Sequence, residues 1–251
     1  MTSEAIGGRS VLAIGGKDRL SFLQGLITND VARLAGGLVY AALLTPQGKY
    51  LADFFLIADG ERVLLDVAEP LAGGLARRLA MYRLRADVSI EATGLVPGRG
   101  LGEPPEGAVA DPRHPALGWR LYSQMPGGAP ATDWDALRVA HCIPESGIEL
   151  IPDESYILEC GFERLHGVDF RKGCYVGQEV TARMKHKTEL RKGLVTVGVE
   201  GAAEPGAEIL ADGKAAGRLH TRAGDRAIAY LRFDRAGSAL RAGDARITWP
   251  L

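Results

Sequence analysis

Residues 152–192 read PDESYILECGFERLHGVDFRKGCYVGQEVTARMKHKTELRK. Basic side chains crowd the second half: Arg171, Lys172, Arg183, Lys185, Lys187, Arg191 and Lys192, with Arg164 just upstream, against the two carboxylates Glu179 and Glu189. A chain of net charge −1 has therefore gathered positive charge locally. Such a run suits either a solvated helix face or a local anion site for phosphate, a carboxylate tail or RNA backbone. Within it, Cys174 stands between Gly173 and Gly177, where low bulk lets the backbone bend and present a side chain. Lys172, two residues earlier, would favour a thiolate if the two side chains face each other. The alternative for Cys174 is a small buried apolar residue, the usual fate of an unpaired cysteine.

Upstream, residues 10–14 (SVLAI) suit a strand that ends at Gly15-Gly16, and Asp18 suits the N-cap of a short helix carrying Leu20, Phe22, Leu23 and Leu26. Residues 38–45, 50–58 and 62–68 are apolar and separated by Pro46-Gln47-Gly48 and Asp59-Gly60, which predicts three antiparallel strands joined by tight turns. Residues 70–83 place Leu71, Leu75, Leu79 and Tyr82 on one helical face behind an opening Pro70. A strand over 86–92 completes an α+β first part. The Pro- and Gly-rich segment 94–115 reads as a loop or short hairpin region, 117–123 as a strand, and 133–142 as a capped helix before Pro144. Downstream of Lys192, short apolar runs at 193–199, 206–211, 215–221, 226–232 and 245–249 alternate with glycines, which suits a small barrel. The expected parts are 1–93, 94–190 and 191–251.

Composition narrows the class. In 251 residues, 46% are hydrophobic and 24% charged, which excludes a disordered chain. The longest uncharged apolar run, Gly37 to Leu44, is far short of the ~20 residues that span a bilayer, so no membrane partner is expected. The opening MTSEAIGGRS lacks a basic segment followed by an apolar core, so no secretory signal is expected. Cys142, Cys160 and Cys174 form no CxxC pair, which argues against a disulfide framework and leads to an expected cytoplasmic location. Three thiols also fall short of the four that an ordinary iron–sulfur cluster takes, so any cluster role needs ligands from a partner or a second copy.

KGCYVGQE at Lys172–Glu179 resembles the signature of the YgfZ family of folate-binding proteins. FLQGLITNDV at Phe22–Val31, LLTPQGKYLADFFL at Leu43–Leu56 and ILECGFERLHGVDF at Ile157–Phe170 extend the resemblance. That family is similar in turn to the T-protein, the aminomethyltransferase of the glycine cleavage system. The resemblance implies an α+β, T-protein-like arrangement of three parts around a central folate site, ending in a small β-barrel. It implies tetrahydrofolate or a one-carbon derivative as cofactor, and a role in iron–sulfur protein maturation that extends to tRNA-modifying enzymes. Partners would be iron–sulfur assembly proteins or client enzymes, with a transient cluster shared through Cys174. Direct tRNA binding by the basic stretch at 183–192 is a weaker expectation.

A pterin edge offers adjacent N–H donors that one carboxylate accepts as a fork. Glu159, in LECG, resembles the folate-binding carboxylate of the T-protein stretch LEAG. Leu26, Tyr40, Tyr82 or Tyr175 would supply apolar walls, and Arg183, Lys185 and Arg191 would meet the anionic tail. Asn29 and Asp30 suit either the cavity or the chemistry of their own turn. Catalytic candidates are Cys174, Lys172 and Asp53. In the T-protein an acidic pair closes the stretch that matches Gly48 to Asp53; here Ala52 replaces the first acid, which weakens aminomethyl transfer as the alternative function. A Cys–His hydrolase using His166 or His186 lacks a third orienting group, and the five histidines show no metal-ligand spacing.

Overall fold

The structure is a computed structural model that describes residues 3–187, 189–237 and 239–250. Met1, Thr2 and the Lys187 side chain of the basic run lie outside what is described. The chain divides into two compact units, residues 1–131 with 163–180, and residues 132–162 with 181–251.

The first unit runs β1 (Glu4–Ala5), β2 (Arg9–Gly15), α1 (Arg19–Gln24), a 3-10 turn (Val31–Gly36), β3 (Val39–Leu44), β4 (Tyr50–Asp59), β5 (Arg62–Ala68), α2 (Glu69–Arg83), β6 (Ser89–Ala92), β7 (Val96–Gly100), β8 (Val109–Ala110) and β9 (Trp119–Ser123). Strands β3-β4-β5-β2-β6 form one antiparallel sheet, and β1-β7-β9-β8 form a second. The three tight-turned strands expected over 38–68 are β3, β4 and β5. They read as continuous apolar runs because both faces of the sheet are covered. On one face Val39, Ala41, Leu43, Phe54, Leu56, Leu65 and Val67 pack with Leu23 of α1 and with Ala72, Leu75 and Leu79 of α2. On the other, Tyr40, Phe55 and Asp66 stand in one cross-strand row.

That second face is charged and buried. Asp66 accepts from Arg9 at 2.7 Å, Arg120 at 3.0 Å and the Tyr122 hydroxyl at 2.9 Å. Arg120 also donates to Asp111 at 3.0 Å, and Arg113 grips Asp111 through two nitrogens at 3.0 and 2.8 Å. The guanidinium of Arg120 lies 3.8 Å from the centre of the Phe55 ring, and that of Arg113 lies 4.8 Å away. Burial at this depth is tolerable only because each charge is paired and its donors are satisfied.

Two expectations change here. Segment 94–115, expected as a loop or short hairpin, carries β7 and β8, which each pair with β9 and not with one another. Gly98 and Gly100 are strand residues in close contact: a Cβ on Gly100 would sit 2.3 Å from the Trp119 ring. Asp18 precedes α1 but makes no side-chain cap; its carboxylate instead accepts the Asp87 amide at 2.8 Å.

The second unit holds α3 (Trp134–Ala140), most of α4 (Gln178–Lys187), β10 (Lys192–Glu200), β11 (Glu208–Ala211), β12 (Lys214–Ala223), β13 (Arg226–Arg232), β14 (Leu240–Ala242) and β15 (Ala245–Thr248). The strands close into a barrel in the order β10-β13-β12-β11-β14-β15 around Val197, Val199, Ile209, Leu219, Leu231 and Ile247. Buried Arg138 of α3 donates to Glu149 at 2.6 Å, and Glu149 takes the Thr221 hydroxyl at 2.5 Å, which pins the 143–150 turn to β12. The expected barrel strands are present; β14 is additional. Among the described residues no helix is long and apolar enough to cross a membrane.

Candidate functional site

The glycine-framed cysteine lies on a loop stitched to the segment after α1. The Thr28 hydroxyl donates to Gly167 O at 2.7 Å, and the Asp169 amide donates to Thr28 O at 3.0 Å. Asn29 Nδ2 donates to His166 O at 2.7 Å and to Tyr40 O at 2.8 Å, while its Oδ1 accepts the Asp30 amide. Asp30 caps the following 3-10 turn at the Ala32 amide, and Arg33 bonds Asp169 at 2.8 Å. Asn29, 2% exposed, is therefore engaged in the fold on every side, and Asp30 performs turn chemistry.

Lys172 Nζ donates to Gln24 O at 2.6 Å and Ile27 O at 2.5 Å, and lies 5.0 Å from the centre of the Tyr175 ring. Burial lowers its pKa to about 8, against the opposing pull of Asp30 and Asp169. Tyr175 is buried too, which leaves it little free ring surface for a ligand. Cys174 between them is exposed. Of the flanking glycines, Gly177 has a positive φ of 82° and would carry its Cβ 2.6 Å from Thr45 O, whereas Gly173 has open space around it. The required glycine is thus the one where the loop meets the Pro46-Gln47-Gly48 turn. The other thiols differ: Cys142 is half-buried, and burial, with Glu159 second, pushes Cys160 up to about 12.

In the second unit, Glu159 is 9% exposed. Its Oε2 accepts the Tyr230 hydroxyl at 2.5 Å, and its Oε1 lies 3.8 Å from Lys192 Nζ. Burial and this carboxylate push the Tyr230 hydroxyl far above its ordinary range, so it remains a donor. Arg183, on α4, and Arg191, just before β10, are exposed cations. Glu159, Arg183 and Arg191 are thus a carboxylate and two exposed cations of one unit, while Asn29 and Tyr175 are buried residues of the other.

Asp53 is 3% exposed. It accepts the Tyr50 hydroxyl at 2.7 Å and the Tyr40 hydroxyl at 3.0 Å. A carboxylate covered by two phenols has no open approach for an amine. The ring Nδ1 of His166 lies 2.9 Å from Pro112 O, and His186 is exposed on α4. Among the described residues no group of three or more His, Cys, Asp or Glu is placed to hold a metal ion.

Sequence reading missed Thr28, Arg33, Asp169 and Tyr230. The first three are ordinary turn residues until the 166–169 backbone is known to lie beside them. Tyr230 meets Glu159 only because β13 pairs with β10, and no local pattern signals that register.

These elements define a class, the α+β fold with a closed C-terminal barrel that the T-proteins share. Crystallised aminomethyltransferase T of the glycine cleavage system from Bartonella henselae superposes with a TM-score of 0.68, over 97% of this chain and 82% of that one, at 14% identity. The CAF17 C-terminal β-barrel domain family matches residues 191–250. The mitochondrial iron–sulfur cluster assembly factor IBA57 of Mus musculus is 32% identical over 90% of this chain and 76% of its own length. That of Homo sapiens is 32% identical over 89% and 75%. The chain belongs to the IBA57 family of iron–sulfur cluster assembly factors, to which the YgfZ proteins are related. The expected cytoplasmic location is corrected by the same relatives, which are named as mitochondrial. Unpaired cysteines report a reducing compartment and do not distinguish one such compartment from another.

Proposed function

We propose that this chain supports the assembly of iron–sulfur proteins by offering Cys174 as one ligand to a cluster whose remaining ligands come from a partner. The observation that carries this reading is the contrast among the three thiols within a chain of this family: one exposed on an anchored loop, one half-buried, one buried. One thiolate is a quarter of an ordinary cluster's ligand set, so the cluster is cargo and the arrangement is transient. Its partners are iron–sulfur assembly proteins or client enzymes, tRNA-modifying ones among them.

A reduced folate is the second element of the proposal. Glu159 would hold the pterin edge through Oε1, and Arg183 and Arg191 the anionic tail; bound folate would supply one-carbon or reducing chemistry. The covered carboxylate of Asp53 gives no support to aminomethyl transfer. The division at 93 and 190 is proposed on the ground that β6 ends at Ala92 and β10 begins at Lys192.

The test is complementation. In cells lacking their own factor, Cys174→Ser is expected to lose rescue of iron–sulfur client enzymes by about tenfold or more while folding normally. Full rescue by that variant removes the reading.

A further inference from the structure

We infer that Lys172 is a positioning residue, a latch that holds the Cys174 loop against the end of α1, and that it acts on the thiol by geometry and not by charge. The inference rests on the reading of Cys174 as the working thiol.

An ammonium has three donors. Two of them here point at Gln24 O and Ile27 O, and the charge faces the Tyr175 ring. Gln24 is the last residue of α1, so its carbonyl is one of the acceptors a helix leaves unsatisfied at its C-terminal end, where a cation is also favoured by the helix dipole. The lysine thus completes the helix end from a segment far away in sequence. No carboxylate among the described residues lies within ion-pair distance of Nζ, and Lys172 is 6% exposed while Cys174 is exposed. The ammonium is engaged by two carbonyls and a ring in a buried setting, whereas the thiol two residues on is exposed.

The neighbouring bonds show what the latch adds. Thr28, Asn29 and Arg33 fix residues 166–169. Gly177 packs closely against Thr45, with no room for a Cβ. Lys172 carries the first set of ties to within two residues of the thiol, so Cys174 stands on a short span with both ends held.

The test compares Lys172→Met, which keeps the apolar stem and removes the donors, with Lys172→Arg, which restores donors and charge. Backbone hydrogen exchange at 24–30 and 170–176 is expected to speed up about tenfold or more in Lys172→Met and to recover largely in Lys172→Arg. Alkylation of Cys174 is expected to be as fast or faster in Lys172→Met, since a loosened loop exposes the sulfur further. Unchanged exchange, or alkylation slowed about tenfold, as loss of an activating charge would produce, overturns the inference. Should Lys172→Met fail to fold, the unsubstituted protein still decides. In the cold at mildly acidic pH, lysine-labelled protein is expected to show one ammonium whose protons exchange slowly and which is absent from Lys172→Arg; solvent-rate exchange at every lysine overturns the latch. Cys174→Ser is expected to leave loop exchange unchanged whatever it does to cluster delivery, so the two readings fail separately.

Discussion

The hydroxyl of Tyr230 donates to Glu159 Oε2 at 2.5 Å while Lys192 Nζ lies 3.8 Å from Oε1, so two neighbours aim the carboxylate proposed to anchor the pterin. A pterin held there loses its charge-assisted bond when the carboxylate becomes an amide. Glu159→Gln is expected to weaken binding of reduced folate by about tenfold or more, a loss in the ~1.5–3 kcal/mol range of such bonds. Titration calorimetry checks this; equal affinity in the variant excludes Glu159 as the anchor.

Asp111 gives a pH signature. Burial would push its carboxyl up, but Arg113 and Arg120 outweigh burial and hold it well below the usual carboxylate range. Its folded value is therefore depressed, and the stability it contributes is fully present above the ordinary carboxyl titration near pH ~4, then lost as pH falls below that. Asp111→Asn is expected to cost about 3 kcal/mol or more at neutral pH, because it leaves two buried guanidinium groups short of charge. That penalty should shrink on acidification. Urea unfolding at neutral and acid pH measures it, and a penalty that does not change with pH contradicts the assignment.

Gly177 meets the turn at Thr45 with a positive φ of 82° and no room for a Cβ. Gly177→Ala combines backbone strain with a backbone clash, and a loss of about 2–4 kcal/mol is expected. Gly173→Ala has open space and is expected to stay within about 0.5 kcal/mol. Thermal melting of both variants tests the contrast, and similar effects would show that the flanking glycines have one common role.

The thiols should react in order of exposure. Under mild alkylation of the native protein at pH 8, Cys174 is expected to be modified first and Cys160, whose thiol is pushed up to about 12, only on unfolding. Peptide mapping after a short exposure reads the order directly, and early modification of Cys160 contradicts it.

The strands of the first sheet were legible because burial on both faces leaves an uninterrupted apolar run, and the turns Pro46-Gln47-Gly48 and Asp59-Gly60 punctuate it. Strand β7 was not legible, because its Pro97, Gly98 and Gly100 carry loop signals and serve contacts with Ser3 and Trp119 that only the fold reveals. Cys174 stood out through the residues around it. The role of Lys172 did not, since sequence adjacency to a cysteine suggests an electrostatic partner and cannot show a side chain that turns inward to two distant carbonyls. The same holds for Asn29 and Tyr175: their chemistry is visible in the sequence, while the hydrogen bonds of the one and the burial of the other are not.

The closed barrel has a consequence for recruitment. Every described strand in it has a neighbour on both sides over part of its length, so the barrel offers an incoming strand only short stretches of vacant backbone ladder, such as the first part of β10. What docks on this half is therefore recognised mainly through side chains projecting outward, among them the cross-strand arginines Arg241 and Arg246. Related chains can therefore diverge in whom they greet by exchanging surface residues alone, with the hydrogen-bonded cylinder beneath left untouched.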